Sequence, residues 1–278
     1  MIKENEHVIF CHGSLITNDV ILSAAHCFKD QAVIPKLFVV LGVLEPLKEG
    51  SPPAERQNKK RKIKSIHEID QVFLHNDYKL FRREAYRDLA LVKLKEKVKL
   101  NKYLHPICLP LSHVVQNDDD ELERSLQSQS VIVTGFRTES PLTDGLLHFI
   151  EPQIQTQDFC NHQFFNSSNP SDNQVIDDAL PQAFQSSVMC AAVETGNEAS
   201  CQGDSGAPLF RYEFINGTEK RYIQLGTLHG SVNTGDNSYP GIYSRLEDPS
   251  NLAFVKSSYG QIIGNLVYTA SPNKILDK

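Results

Sequence analysis

The sequence predicts an all-β protein: two antiparallel, six-stranded-type β-barrels followed by a short C-terminal helix. Three observations carry that reading. Short apolar runs rich in β-branched residues and leucine alternate with turn signals. A length of 278 residues suits a two-barrel β protein folded as one unit around a large core. Helical spacing is confined to two short stretches, the longer of them near the C-terminus.

The expected strands of the first barrel are Val8–Phe10, Val20–Ser23, Phe38–Leu41, Ile63–Ile66 and Leu89–Leu94; those of the second are Val131–Thr134, Ile223–Leu228 and Gly241–Ser244. Branched side chains favour such segments because they pack well on a pleated surface. Between the two groups, Lys95–Gln129 carries Pro106, Pro110 and the acidic run Asp118-Asp119-Asp120-Glu121, and reads as an exposed connection. A short helix is expected around Asp158–Phe165. A longer one is expected from Pro249 to Val267, where Leu252, Val255, Tyr259, Ile262, Ile263 and Leu266 recur at helical spacing. The chain reads as a single domain over 1–278, with the first barrel over 1–97, the connection over 98–129, and the second barrel and helix over 130–268.

A net charge of −6 and a hydrophobic share of 40% describe an ordinary soluble protein and give no support to nucleic-acid binding, which wants a basic face. No apolar run approaches the length of a membrane span, so no membrane association is expected. The polar start Met1-Ile2-Lys3-Glu4-Asn5-Glu6-His7 does not read as a signal peptide. Cys11, Cys27, Cys108, Cys160, Cys190 and Cys201 never form a Cys-x-x-Cys pair, so they read as a disulfide framework rather than a metal site. Neither a metal nor an organic cofactor is expected.

Chemistry concentrates in Cys201-Gln202-Gly203-Asp204-Ser205-Gly206-Ala207-Pro208. One serine sits among glycines whose bare backbone can turn two N–H groups toward a point, the makings of an oxyanion hole beside a nucleophile. A serine hydroxyl needs a base to take its proton. His26 supplies one, in Leu22-Ser23-Ala24-Ala25-His26-Cys27, and Asp88 in Arg87-Asp88-Leu89-Ala90-Leu91 can orient it. Singly, His26 could be a packed histidine, and Asp88 and Ser205 turn residues. In the order His, Asp, Ser they match a triad.

These segments resemble the catalytic domain of chymotrypsin-like (S1 family) serine proteases. Cys11-His12-Gly13-Ser14-Leu15-Ile16, His105-Pro106-Ile107-Cys108-Leu109-Pro110 and Pro240-Gly241-Ile242-Tyr243-Ser244-Arg245 extend the resemblance from about Phe10 to about Gly264. It implies a trypsin-like fold and a secreted, extracellular endopeptidase that acts on protein or peptide substrates, meets protease inhibitors and has a place in a proteolytic cascade. Ser205 is implied as nucleophile, His26 as general base within hydrogen-bond reach of it, and Asp88 as the carboxylate behind the imidazole. The N–H groups of Gly203 and Ser205 are implied as the oxyanion hole. Disulfides Cys11–Cys27 and Cys160–Cys190 are implied as well. Cys201 lacks its usual partner, because Asn233-Thr234-Gly235-Asp236 stands where the family has a cysteine. In multidomain relatives the cysteine at the Cys108 position bonds to a segment upstream of the protease domain; Cys108 is expected to do the same or to be free, and not to bond to Cys201.

Several residues depart from the family pattern. No Ile-Val-Gly-Gly start precedes Cys11: either the sequence begins downstream of the activation site and of the first strand, or the protein matures differently or not at all, and the ammonium that usually pairs with Asp204 is not at hand. Gly135-Phe136-Arg137 stands for Gly-Trp-Gly, His229-Gly230-Ser231 for Ser-Trp-Gly, and Ala207 for a glycine. Substrate-binding residues by alignment are Ala199 at the pocket floor, with Ser231 and Gly241 on its walls. A neutral floor favours an uncharged substrate side chain. The alternative reading of these departures is a non-catalytic homologue acting as a binding or cofactor protein. Asn166-Ser167-Ser168 and Asn216-Gly217-Thr218 are glycosylation sequons, and Lys59-Lys60-Arg61-Lys62 is a solvated basic loop or an exosite.

Overall fold

The computed structural model describes residues 1–3, 11–32, 34–42, 65–81, 84–110, 130–135, 147–160, 187–193, 204–231 and 240–263. Strands β1 (Ile2–Lys3), β2 (Ser14–Leu15), β3 (Val20–Ser23), β4 (Leu37–Leu41), β5 (Ser65–Leu74) and β8 (Ala90–Leu94) form a six-stranded sheet in the order β1-β4-β5-β8-β3-β2. A separate hairpin joins β6 (Lys79–Phe81) to β7 (Glu84–Tyr86). The second sheet takes β9 (Ile132–Gly135), β10 (His148–Ile150), β11 (Gln153–Ile154), β12 (Val188–Ala192), β13 (Pro208–Ile215), β14 (Glu219–Ser231) and β15 (Gly241–Arg245) in the order β10-β9-β13-β14-β15-β12-β11. Every pairing between these strands is antiparallel. The expected all-β, trypsin-like architecture is present, with six and seven strands in its two sheets.

Registers place the functional turns. In β3, Val-Ile-Leu-Ser is buried throughout, and its antiparallel partner β8 pairs Ser23 with Ala90. The turn leaving β3 and the turn entering β8 therefore meet at one end of the sheet. In the second sheet Pro208 pairs with Thr227, which sets Ser205, just before β13, beside the end of β14. One core lies under the first sheet around Ile21, Phe28, Leu37, Val39 and Leu94, and a second around Val133, Leu209, Leu225, Leu228 and Tyr243. A third joins Val20, Leu22, Leu89 and Leu91 to Phe254, Val255 and Tyr259 of helix α1 (Pro249–Ile263). Burial of each such side chain stabilises by roughly 1.5–3 kcal/mol.

Polar contacts join the sheets. Ser14 Oγ donates to Gln224 Oε1 at 2.5 Å. In the connection, Ile107 N donates to Leu15 O of the first sheet, while Cys108 N donates to Tyr222 O and Cys108 O accepts from Gln224 N of the second.

Seven expected strands recur: β3 with its expected bounds, β4, β8, β9 and β15 with ends shifted by one residue, β5 starting two residues later and running eight further, and β14 running further than its apolar core in both directions. Val8–Phe10, and most of the expected connection beyond Pro110, lie outside the described residues. Strands β1, β2, β6, β7 and β10–β13 were not anticipated from the sequence, and β1, paired to β4, is an edge strand at the start of the chain where one reading of the sequence leaves the first barrel without one. A helical turn over 157–160 begins where the first short helix is expected.

Candidate active site

His26 sits in a 3-10 turn, Ala25–Phe28, directly after β3. The Cys11–Cys27 disulfide and the buried Phe28 side chain fix this turn against the first core. Asp88, fully buried, precedes β8 and meets it there: Oδ2 lies 2.6 Å from His26 Nδ1, and Oδ1 accepts the His26 backbone N–H at 2.7 Å. Burial alone would push the Asp88 carboxyl up. The hydrogen bonds from the His26 side chain and backbone outweigh it and hold the group below its ordinary value, as an anion.

Arg87, just before Asp88, adopts φ of 50°, a region that costs a non-glycine residue about 1–2 kcal/mol. It is held there from outside the turn: Nη1 donates to Asp248 Oδ1 at 2.5 Å and to Asn251 Oδ1 at 3.3 Å, both at the start of α1. Asp248 Oδ1 also accepts the N–H groups of Ser250 and Asn251, capping the helix.

Ser205 projects from the turn before β13. Its carbonyl accepts the His12 N–H at 2.7 Å, and Gly206 N donates to Leu228 O at 2.8 Å. Gly206 has φ of 86° and packs against the His12 carbonyl so closely that no Cβ would fit. Ala207 takes no positive φ, so alanine in place of glycine brings no backbone strain there. The Ser205 hydroxyl donates to the His229 carbonyl at 3.2 Å. The serine–imidazole hydrogen bond expected from the sequence is thus not made: a hydroxyl has one hydrogen, and here a carbonyl takes it.

Asp204 is buried between Gly135, whose bare α-carbon abuts its carboxyl group, and His12, whose Nδ1 lies 3.7 Å from Oδ1. The basic neighbour that the sequence reading did not find for Asp204 is therefore His12. Its place in Cys11-His12-Gly13, one residue from a cysteine that anchors the His26 turn, is the only sequence signal for it.

His229 is the other residue that sequence reasoning missed as a functional neighbour. Ser244 Oγ donates to the Asp88 carbonyl at 3.3 Å, so its short 2.6 Å contact with His229 Nε2 must be one in which the imidazole donates. That leaves His229 Nδ1 an acceptor, buried and without a hydrogen-bond partner among the described residues. Burial pushes the His229 pKa down to about 4, against the pull of Asp88 and with the help of His26. It is a neutral imidazole at the back of the site.

Cys11, His26 and Cys27 bring donor atoms within 4.8 Å of one another, yet both sulfurs are committed to a disulfide. Ser231 and Gly241 pair across β14 and β15, and Gly241 also pairs with Ala191 of β12. Gly203, Ala199, Cys201, Asn166 and the basic run lie outside the described residues. The implied disulfides Cys11–Cys27 and Cys160–Cys190 are both present, and Cys108 is an exposed free thiol. No helix among the described residues is long and apolar enough to cross a membrane.

The sequence profile of the family described as Trypsin matches residues 2–252. The clotting factor G beta subunit of Tachypleus tridentatus is 24% identical over 269 residues, covering 95% of this chain and 76% of that protein. A venom protease of Bombus pensylvanicus is 28% identical over 242 residues, 85% of this chain and 81% of its own length. Melanization protease 1 of Drosophila melanogaster is 26% identical over 244 residues, and there the match spans 85% of this chain but 55% of the relative. With a family profile spanning nearly its whole length, the chain belongs to the trypsin family of serine proteases.

Proposed function

We propose that the chain is an extracellular serine endopeptidase that cleaves protein substrates after an uncharged residue. The observation that carries this reading is the Asp88–His26 pair, a buried carboxylate 2.6 Å behind an imidazole. Ser205 attacks the peptide carbonyl while His26 takes its proton and then delivers it to the leaving amine; Asp88 holds the tautomer and stabilises the imidazolium. Before that step the Ser205 hydroxyl turns from the His229 carbonyl to His26 Nε2. The N–H groups of Gly203 and Ser205 receive the oxyanion, one such donor being worth roughly 3 kcal/mol of barrier. The named relatives include a clotting subunit and a melanization protease, which supports a place in a proteolytic cascade. Protein inhibitors that occupy the same cleft belong with this reading.

The second reading, a non-catalytic homologue that binds rather than cuts, is favoured by the Ser205 hydroxyl resting on His229 instead of His26. A serine-directed organophosphonate separates the two. The endopeptidase incorporates it at Ser205 and hydrolyses peptides, and Ser205→Ala loses about a millionfold in turnover while keeping its melting temperature. Folded, processed protein that takes up no probe establishes the binding homologue. Cleavage strictly after Arg or Lys overturns the assignment of Ala199 to the pocket floor.

A further inference from the structure

The hairpin of β13 and β14 stands out from the second sheet and ends in Asn216-Gly217-Thr218. Asn216 and Gly217 both take positive φ, 50° and 74°, and Thr218 N donates to Ile215 O at 3.2 Å, closing a tight turn. All three tip residues are exposed, and nothing lies within 4 Å of the place where a Gly217 side chain would project. The Asn216 carboxamide is thus presented on a narrow, open tip.

Next to it lies an unexplained row of aromatic rings. Strand residues two apart share a face, so Tyr212 and Phe214 line one side of the hairpin, and Asn216 follows at the first turn position past the end of β13. Tyr212 is 38% exposed, Tyr222 opposite it 45%, and Phe214 58%. The rings meet edge to face, Tyr212 with Phe214 at 5.7 Å and Phe210 with Tyr222 at 6.0 Å. Lys220 sits over Tyr212 at 4.1 Å but is 5.7 Å from the Phe214 centroid. Phe214, nearest the tip, is the ring left most open. A contiguous exposed aromatic patch of this kind calls for an occupant.

We propose that Asn216 carries an N-linked glycan whose first N-acetylglucosamine packs on Phe214. A pyranose has one face of C–H groups with slight positive charge, which suits the negative face of a π system. Two residues of chain reach at most about 7 Å, within the length of one sugar laid back from the asparagine over the ring. In the linkage step Asn216 Nδ2 displaces the polyprenyl pyrophosphate from C1 of a polyprenyl-pyrophosphate-linked oligosaccharide. The N–C1 bond forms as the C1–O bond breaks, one amide proton passes to the medium, and the polyprenyl pyrophosphate leaves. The proposal is independent of whether Ser205 is catalytic.

The test is secretion of the full chain, behind a leader, from a eukaryotic host, followed by peptide mapping with and without peptide-N-glycosidase. The Asn216 peptide is expected to carry glycan and to convert to aspartate on enzymatic release, and Asn216→Gln and Thr218→Ala are each expected to abolish this. Complete removal of the glycan should lower the melting temperature by about 2–4 °C, as the loss of one aromatic contact would. Trimming to a single sugar should not lower it, and in Phe214→Ser complete removal should have no effect. An unmodified Asn216 peptide from secreted protein overturns the site. The same fall in melting temperature in Phe214→Ser overturns the stacking.

Discussion

At the scale of single residues, His229 is where the site departs furthest from expectation. A neutral imidazole buried beside the Asp88–His26 pair binds its proton only when the pH falls to about 4, whereas in the unfolded chain it does so near 6.5. Between those values the unfolded state holds the extra proton, so stability falls as the pH is lowered through that window, by up to about 3 kcal/mol. Asp88 acts lower. Its folded pKa is depressed, so its contribution is complete above the ordinary aspartate range and is lost only as the pH drops through the folded value. Urea titrations at intervals from pH 7 to 4 should therefore show a slope that flattens in His229→Asn, and an unchanged slope would mean that the histidine is charged in the folded protein. The His26–Asp88 contact could be anticipated in sequence, because His26 and Asp88 each sit in a distinctive local motif. His12 and His229 were not, because their roles depend on contacts between residues 192 and 141 positions from their partners Asp204 and Asp88.

At the scale of elements, helix α1 does more than cover the first sheet. Its capping carboxylate, Asp248, grips Arg87 and so holds the positive-φ backbone that precedes Asp88. Asp248→Asn keeps an oxygen for the helix cap but removes the charge, while Arg87→Gln removes the anchor itself. Both should weaken the low-field proton resonance of the His26–Asp88 hydrogen bond, and Arg87→Gln should cost about 3 kcal/mol of stability as well, because it leaves a buried carboxylate without its cation. Resonances unchanged in both variants would show that the turn holds Asp88 without the helix. The helix was legible from its apolar spacing, and β3 and β8 from apolar runs interrupted only by Ser23 and Lys93. β5 was caught only at its start, because most of its ten residues are half-buried or exposed and its polar positions interrupt the pattern. β13 shares its run with the nucleophile motif, and charged Arg211 and Glu213 break its apolar content.

At the scale of the whole molecule, catalysis would need both sheets at once: His26 and Asp88 come from the first, Ser205 and His229 from the second. Gln224 is the fully buried pin between them, accepting from Ser14 Oγ and donating to Gly226 O and Thr227 Oγ1 at 3.0 and 3.1 Å. Gln224→Ala strands these partners in the interior and should cost about 2–3 kcal/mol. Two probes, one on each sheet, should show a single unfolding transition in the wild type and separated ones in the variant. Coincident transitions in the variant would place the coupling elsewhere. Sequence reading gave no hint of this pin, since one glutamine in a strand of mixed polarity carries no periodic signal.

The chain at Ile107 and Cys108 hydrogen-bonds to Leu15 on one side and to Tyr222 and Gln224 on the other, so two consecutive residues span the seam. The exposed Cys108 thiol stands on that seam. A fluorophore attached there would act as a strain gauge between the halves of the molecule, registering any sliding of one sheet past the other.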